Sequence, residues 1–143
     1  MAETRQPTAL PDWIADHLKR YLATDGADGH LWNGVPTLLL TTTGRKSGTA
    51  QQLPLIYGKD GDRYVIVASR GGAPDHPGWY RNLVAQPEVQ VQVAADRFRA
   101  RARSAKGAER ARLWESMAKL FPPYDDYQKK TTREIPVVVL ERQ

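Results

Sequence analysis

The sequence predicts an α+β fold in which an antiparallel sheet of about six strands can close into a barrel, with three helices outside it. Two observations predict the sheet: short apolar or alternating segments are separated by turn residues, and Asp60-Gly61 is a strong hairpin signal. Helical spacing of apolar residues in separate segments predicts the helices. With 143 residues, of which 41% are hydrophobic, the chain is expected to form one domain over 1–143.

The N-terminal third predicts a helix followed by a buried strand. The helix covers about residues 11–23, where Trp13, His17 and Tyr21 recur at helical spacing. A loop then leads to a strand over 37–42, whose central apolar run predicts burial on both faces.

The middle of the chain predicts strands over 51–58 and 63–69 and a short helix over 79–85. The Asp60-Gly61 turn joins the two strands as a hairpin. Pro77 suits the first turn of the helix, and Pro87 ends it.

The last third predicts a second hairpin with strands over 89–93 and 97–103, a longer helix over 106–121 and a final strand over 136–140. The apolar stripe of that helix is expected to contain Ala111, Trp114, Met117, Ala118 and Phe121. Pro122-Pro123 is expected to end the helix, which leaves Tyr124 and Tyr127 in a polar segment.

Composition excludes several classes of chemistry. The chain has no cysteine, which excludes disulfides, thiolate metal sites, iron–sulfur clusters and a cysteine nucleophile. Its three histidines show no metal-binding spacing, so no metal site is expected, and His76 is expected to be a helix cap or a surface residue. The chain carries no motif for a phosphate-binding loop, a dinucleotide fold, a zinc protease or a serine hydrolase. With no signal peptide and no long apolar run, a cytoplasmic protein is expected.

Positive charge is concentrated in one segment. The formal net charge is +5, and residues 97–112 contain seven basic residues against the single acid Glu109. Such a patch favours an anionic partner. Nucleic acid is not the expected partner, because Phe98 is the only aromatic residue among the arginines of the strand and a stacking platform is missing.

Three polar segments combine the features that bind small anions: 44–48 (Gly-Arg-Lys-Ser-Gly), 69–72 (Ser-Arg-Gly-Gly) and the helix start at 77–82. Cationic side chains and free backbone N–H groups in such turns hydrogen-bond phosphates and carboxylates, and a helix start adds its dipole. The alternatives are a solvated hairpin turn for the first segment and a core position for Trp79.

Together these segments resemble the deazaflavin-dependent nitroreductase family, small split β-barrel proteins that use coenzyme F420. The ordered matches are 39–48 (LLTTTGRKSG), 53–55 (LPL), 67–72 (VASRGG), 77–83 (PGWYRNL), 87–91 (PEVQV) and 122–128 (PPYDDYQ). The resemblance runs from about residue 38 to residue 141.

The resemblance implies a split β-barrel and a hydride transfer from reduced F420 to a quinone, a nitroaromatic or another unsaturated acceptor. It implies that the turn at 44–48 meets the phosphate and glutamate tail of the coenzyme, and that Ser69, Tyr124 and Tyr127 are catalytic hydroxyls. The implied cofactor-binding residues are Arg45, Lys46, Ser47, Gln51, Gln52, Leu53, Pro54, Leu55, Ile56, Val67, Ala68, Ser69, Arg70, Gly78, Trp79, Tyr80, Arg81, Asn82 and Tyr124.

The chain departs from the family pattern at three positions, one of which is Gly78, where a gap replaces a bulkier side chain. Gln51 stands where a basic residue is common, and Ile56 stands where some active members carry tyrosine, which weakens an expectation of nitroimidazole reduction. The alternatives are a non-catalytic F420-binding or storage protein and a relative that binds flavin mononucleotide. A monomer or a homodimer is expected, with the N-terminal helix packed on the domain rather than on a membrane surface.

Overall fold

The computed structural model describes residues 11–143, which form a curled antiparallel sheet with four α-helices around it. The helices are α1 (Asp12–Thr24), α2 (Gly78–Ala85), α3 (Gly107–Leu120) and α4 (Pro123–Lys129). The strands are β1 (Leu31–Trp32), β2 (Val35–Thr43), β3 (Ala50–Ile56), β4 (Gly58–Asp60), β5 (Arg63–Val67), β6 (Glu88–Val93), β7 (Asp96–Ser104) and β8 (Val137–Arg142). The predicted α+β class and antiparallel sheet are confirmed.

Strand β2 is the branch point of the sheet. It pairs along its length with β3, from Thr37 opposite Ile56 to Thr43 opposite Ala50. Its other edge pairs with β1 and then with β6, and the path continues through β7, β8 and β5 to β4. Every pair is antiparallel, and the sheet curls into a half-barrel.

Two apolar clusters fill the two sides of the curled sheet. One cluster lies inside the curl and includes Leu38, Ile66 and Leu140, each fully buried. The other lies between the sheet and the pair α3 and α4, and includes Met117 and Tyr124. Because β2 contributes three consecutive buried leucines, its predicted burial on both faces is confirmed.

The strand predicted over 51–58 is two strands with different partners. β3 pairs with β2, whereas β4 forms the predicted hairpin with β5. The chain turns between them at Tyr57, whose N–H donates to the Pro36 carbonyl at 3.1 Å. β3 pairs with β2 on one edge only. Pro54 is therefore tolerated within β3, because the missing N–H of a proline in an edge strand can face the unpaired side.

Two elements were not predicted, and the buried face of α3 differs from the expected stripe. β1 is only two residues long, and α4 begins at Pro123, where proline suits a first turn rather than ending a helix. In α3 the buried residues are Leu113 and Met117, whereas Ala111 is exposed.

Candidate functional site

A groove of about 890 Å³ opens between the β2–β3 turn, the segment after β5 and the start of α2. We call it the basic groove, because four cationic side chains line it against a single carboxylate. The cations are Arg45, Lys46, Arg70 and Arg81, and the carboxylate is Asp75, which lies 3.9 Å from Arg81. The groove therefore offers a net positive field to a ligand.

Asn82 of α2 fixes one wall of the basic groove. Its Oδ1 accepts hydrogen bonds from the backbone N–H of Arg45 at 3.2 Å and from Arg45 Nη1 at 2.9 Å. Its Nδ2 donates to Gln51 Oε1 at 2.8 Å and to Thr42 Oγ1 at 3.2 Å. Because Asn82 is only 1% exposed, this buried amide fixes the β2–β3 turn at 44–48, the cationic turn, to both the sheet and the helix.

The segment after β5 forms the opposite wall and has an unusual backbone. Arg70, Gly71 and Gly72 all have positive φ, at 46°, 64° and 81°. A Cβ on Gly72 would lie 2.6 Å from the Tyr127 carbonyl oxygen, so glycine allows α4 to pack directly on this turn. The turn places Ser69 and Arg70 on the lining of the groove.

A second cavity of about 220 Å³ adjoins the groove, and we call it the aromatic cavity. Its rings form a chain of contacts, from Trp13 stacked on Trp32 at 5.8 Å, through Phe121 at 6.2 Å, to Tyr124 at 5.0 Å. Tyr127, one turn further along α4, closes this chain at 6.3 Å from Tyr124.

The two cavities share part of their lining. Ile14, Leu55, Val67 and Ser69 line both, so a ligand in the basic groove would meet a ligand in the aromatic cavity across these residues. The arrangement offers a charged compartment for an anion and an apolar aromatic one for a second molecule.

Burial shifts the pKa values of two groups that line these cavities. Burial raises the pKa of Tyr124, with a smaller contribution from neighbouring Tyr127, so the Tyr124 phenol is protonated at neutral pH. Burial also lowers the pKa of His76, and the positive charges of Arg133 and Arg81 lower it further, against an opposing effect of Asp75.

A profile of the F420H(2)-dependent quinone reductase family matches residues 13–142. The chain belongs to this family. An F420H(2)-dependent quinone reductase from Mycobacterium tuberculosis (strain ATCC 25618 / H37Rv) is 44% identical over 126 residues, or 85% of either chain. A solved F420-H2-dependent reductase (FDR-A) is 43% identical with a TM-score of 0.69, over 74% of this chain and 94% of its own. Another solved structure, described as a domain-swapped dimer, is 40% identical with a TM-score of 0.72, over 91% and 98%.

Membership of the F420H(2)-dependent quinone reductase family confirms the predicted resemblance, the oxidoreductase class and the dependence on coenzyme F420. The lining of the basic groove suits this cofactor. Within residues 11–143, Lys46 and Arg70 make no ion pair, so their charges are available to an anionic tail. A Cβ on Gly78 would meet no atom within 4 Å, so the start of α2 is open to a ligand.

Most of the residues that the sequence predicted for the site line one of the two cavities. The basic groove is lined by Arg45, Lys46, Ser47, Gln51, Leu53, Leu55, Val67, Ser69, Arg70, Gly78, Trp79, Arg81 and Asn82. The aromatic cavity is lined by Pro54, Leu55, Ile56, Val67, Ser69, Tyr124 and Tyr127.

Three predicted residues line neither cavity. The Gln52 side chain lies on the other face of β3, where its Nε2 donates to Thr41 Oγ1 at 3.1 Å. Ala68 is fully buried. The Tyr80 hydroxyl hydrogen-bonds Ser104 Oγ at 2.8 Å, away from the groove. A role of these three residues in cofactor binding stays a prediction. It would require contacts of their main chain with the cofactor, or contacts through a neighbouring residue.

Sequence reasoning missed several residues of the site. His76 is half-buried in the groove lining and makes no side-chain cap, in contrast to the expected cap or surface position. Its Nδ1 lies 3.0 Å from Nη1 of Arg133, which is 57 residues away in the chain. Trp32 and His17 line the aromatic cavity. For Arg133 the sequence offered no local signal, because every hydrogen-bond partner of its side chain is distant in the chain.

The remaining surfaces offer less to a ligand. Three of the four arginines of β7 form ion pairs within residues 11–143, in the pairs Arg97–Asp25, Arg101–Glu88 and Arg103–Glu109. Over the same residues, no cluster of three or more histidine, aspartate or glutamate side chains could hold a metal ion. None of the helices described is both long and apolar enough to cross a membrane.

Proposed function

We propose that this protein binds reduced coenzyme F420 in the basic groove and uses it to reduce a quinone or a similar unsaturated acceptor in the aromatic cavity. One observation carries the proposal: the basic groove and the aromatic cavity share Leu55, Val67 and Ser69 in their walls. This arrangement suits a reaction between an anionic donor and an apolar ring, because both can lie in van der Waals contact at the shared wall.

The tail of the coenzyme is proposed to lie against the β2–β3 turn. The tail carries phosphate and glutamate charges, and Arg45, Lys46, Arg70 and Arg81 are the cations of the groove. Hydrogen bonds to charged groups contribute about 1.5–3 kcal/mol each, so about four of them amount to the free energy of micromolar binding. Because Arg45 is already held by Asn82, its guanidinium loses little conformational entropy on binding.

Bound in its reduced form, the deazaflavin supplies a hydride, and reduction of a quinone to a quinol needs one proton in addition. Tyr124 is proposed to donate that proton to the acceptor oxygen. Its hydroxyl makes no hydrogen bond to any residue of 11–143, and burial keeps it protonated. Ser69 and Tyr127 line the same cavity and are proposed to orient the acceptor or the ring by hydrogen bonds.

A titration with F420 tests the binding step. Fluorescence should show saturable binding at micromolar protein, and Lys46→Ala should weaken it, more strongly for coenzyme with a longer glutamate tail. Lys119→Ala is the matched control, because Lys119 is an exposed lysine of α3 whose partner is Glu115. Absence of saturable binding to the unmodified protein would overturn the proposal.

An acceptor screen tests the chemistry. F420H2 oxidation is followed with quinones and with nitroaromatics, and turnover with at least one quinone is expected. Tight binding without turnover of any acceptor would instead indicate a storage protein. A yellow protein with bound flavin mononucleotide as purified would indicate the flavin-binding alternative. Light scattering of the same sample distinguishes a monomer from a homodimer.

A further inference from the structure

We propose that Arg133 is a positioning residue for the basic groove: its guanidinium holds the backbone of residues 68–73 in the shape that carries Ser69 and Arg70 into the lining. Arg133 lies in the segment between α4 and β8 and lines neither cavity itself. The part of the proposal that concerns F420 rests on the proposed function, whereas the restraint on the backbone concerns the ligand-free protein.

The guanidinium makes four hydrogen bonds to the walls of the groove. Nε donates to the Ala73 carbonyl at 2.8 Å, and Nη2 donates to the Ser69 carbonyl at 2.7 Å. Nη1 donates to the Ala68 carbonyl at 3.3 Å and to His76 Nδ1 at 3.0 Å. One planar group with five N–H donors therefore joins both ends of the segment to His76, which lies two residues before α2 begins.

The segment that Arg133 holds needs support from outside. Arg70, Gly71 and Gly72 lie consecutively in the left-handed region, which is unfavourable for a residue with a side chain such as Arg70. The segment's internal support is small: the Gly72 N–H donates to the Ser69 carbonyl, and the Ala73 N–H donates to the Arg70 carbonyl. Such a backbone persists only where its surroundings fix it.

The contact with His76 also fixes the state of the imidazole. A guanidinium can only donate, so Nδ1 is the acceptor and the ring proton lies on Nε2. The charged groups facing the ring are Arg133, Arg81 and Asp75, and the Tyr80 ring packs on it at 4.9 Å. The pKa of His76 therefore reports the presence of the Arg133 charge.

Two variants separate the charge of Arg133 from its planar fork. Arg133→Ala removes both, whereas Arg133→Lys keeps the charge but has a single nitrogen for four acceptors. Arg142→Ala is the matched control, because Arg142 is an exposed arginine at the end of β8 that pairs with Asp96. Circular dichroism checks the fold of each protein, and Arg133→Lys carries the comparison where Arg133→Ala does not fold.

Three measurements are made on the full chain. In ligand-free protein, amide exchange over 68–73 should accelerate in both variants, and the pKa of His76 measured by NMR should rise in Arg133→Ala but stay near the unmodified value in Arg133→Lys. F420 affinity should fall by about tenfold in both variants and change less than about twofold in Arg142→Ala. Guanidinium ion well below denaturing concentrations should restore part of the affinity of Arg133→Ala.

Unchanged exchange over 68–73, or unchanged F420 affinity in both variants, would overturn the proposal. If the unmodified protein binds no F420, the proposed function fails, and the ligand-free measurements then decide this inference. Faster exchange in both variants would support the restraint, and equal exchange would reject it.

Discussion

Replacing Asn82 with alanine would remove four hydrogen bonds that join the cationic turn to α2 and the sheet. Arg45 is exposed, so water can replace its lost partner at little cost. Gln51 and Thr42 are 9% and 1% exposed, so their oxygens lose a donor where water has little access. At about 1–3 kcal/mol for each of these two unsatisfied buried groups, the free energy of unfolding should fall by about 2–6 kcal/mol.

Urea unfolding followed by circular dichroism measures this loss. With an m-value of about 2 kcal/mol/M, the midpoint should fall by about 1–3 M in Asn82→Ala. Gln90→Ala, which truncates an exposed amide of β6, should leave it within about 0.3 M. Asn82→Asp keeps an acceptor for Arg45 but adds a carboxylate beside it, so F420 affinity should fall further than in Asn82→Ala. A midpoint for Asn82→Ala equal to that of Gln90→Ala would refute the reasoning.

Three more predictions concern single groups. Gly72→Ala should lower the free energy of unfolding in urea by at least about 1–3 kcal/mol. The loss should be smaller in Gly61→Ala, where φ is also positive (62°) but no atom lies within 4 Å of the new Cβ. Equal losses in the two variants would exclude the steric cause. Tyr124→Phe should lower kcat about 10²-fold or more at unchanged F420 affinity, and an unchanged kcat would remove its role as proton donor. Because the pKa of folded His76 is lowered, its contribution to stability is complete above about pH 6.5 and is lost as the pH falls below that value. His76→Gln should lack this part of the acid loss, measured by urea unfolding at about pH 7.5 and about pH 5.5, and an identical loss in both proteins would contradict the assignment.

Elements defined by their own periodicity could be predicted from the sequence. The helix expected at about 11–23 is α1, and the alternating valines and arginines form the hairpin of β6 and β7. The break between β3 and β4 was not predictable, because it depends on Tyr57 pairing with Pro36 across the sheet. α4 was not predicted because Pro122-Pro123 is typical of the end of a helix, although Pro123 also suits the start of the next one.

The same distinction holds for the candidate site. The cationic turn at 44–48 was predicted because its charges and glycines are adjacent in the sequence. The alternation rule that brings the side chains of Gln51 and Leu53 into the groove places that of Gln52 on the other face of β3, a difference that a contiguous run of predicted contacts does not express. Arg133 could not be found, since its four acceptors lie 57 to 65 residues earlier in the chain.

The packing of α4 links the two cavities mechanically. Tyr124 and Tyr127 line the aromatic cavity, while the Tyr127 backbone lies so close to Gly72 that no side chain fits between them. Gly72 in turn ends the strained turn that presents Arg70 to the basic groove. A shift of α4 caused by a bulky acceptor would therefore press on the wall that we propose to bind the coenzyme. It follows that acceptor size and F420 affinity should be coupled in this protein, although the two ligands are proposed to occupy different cavities.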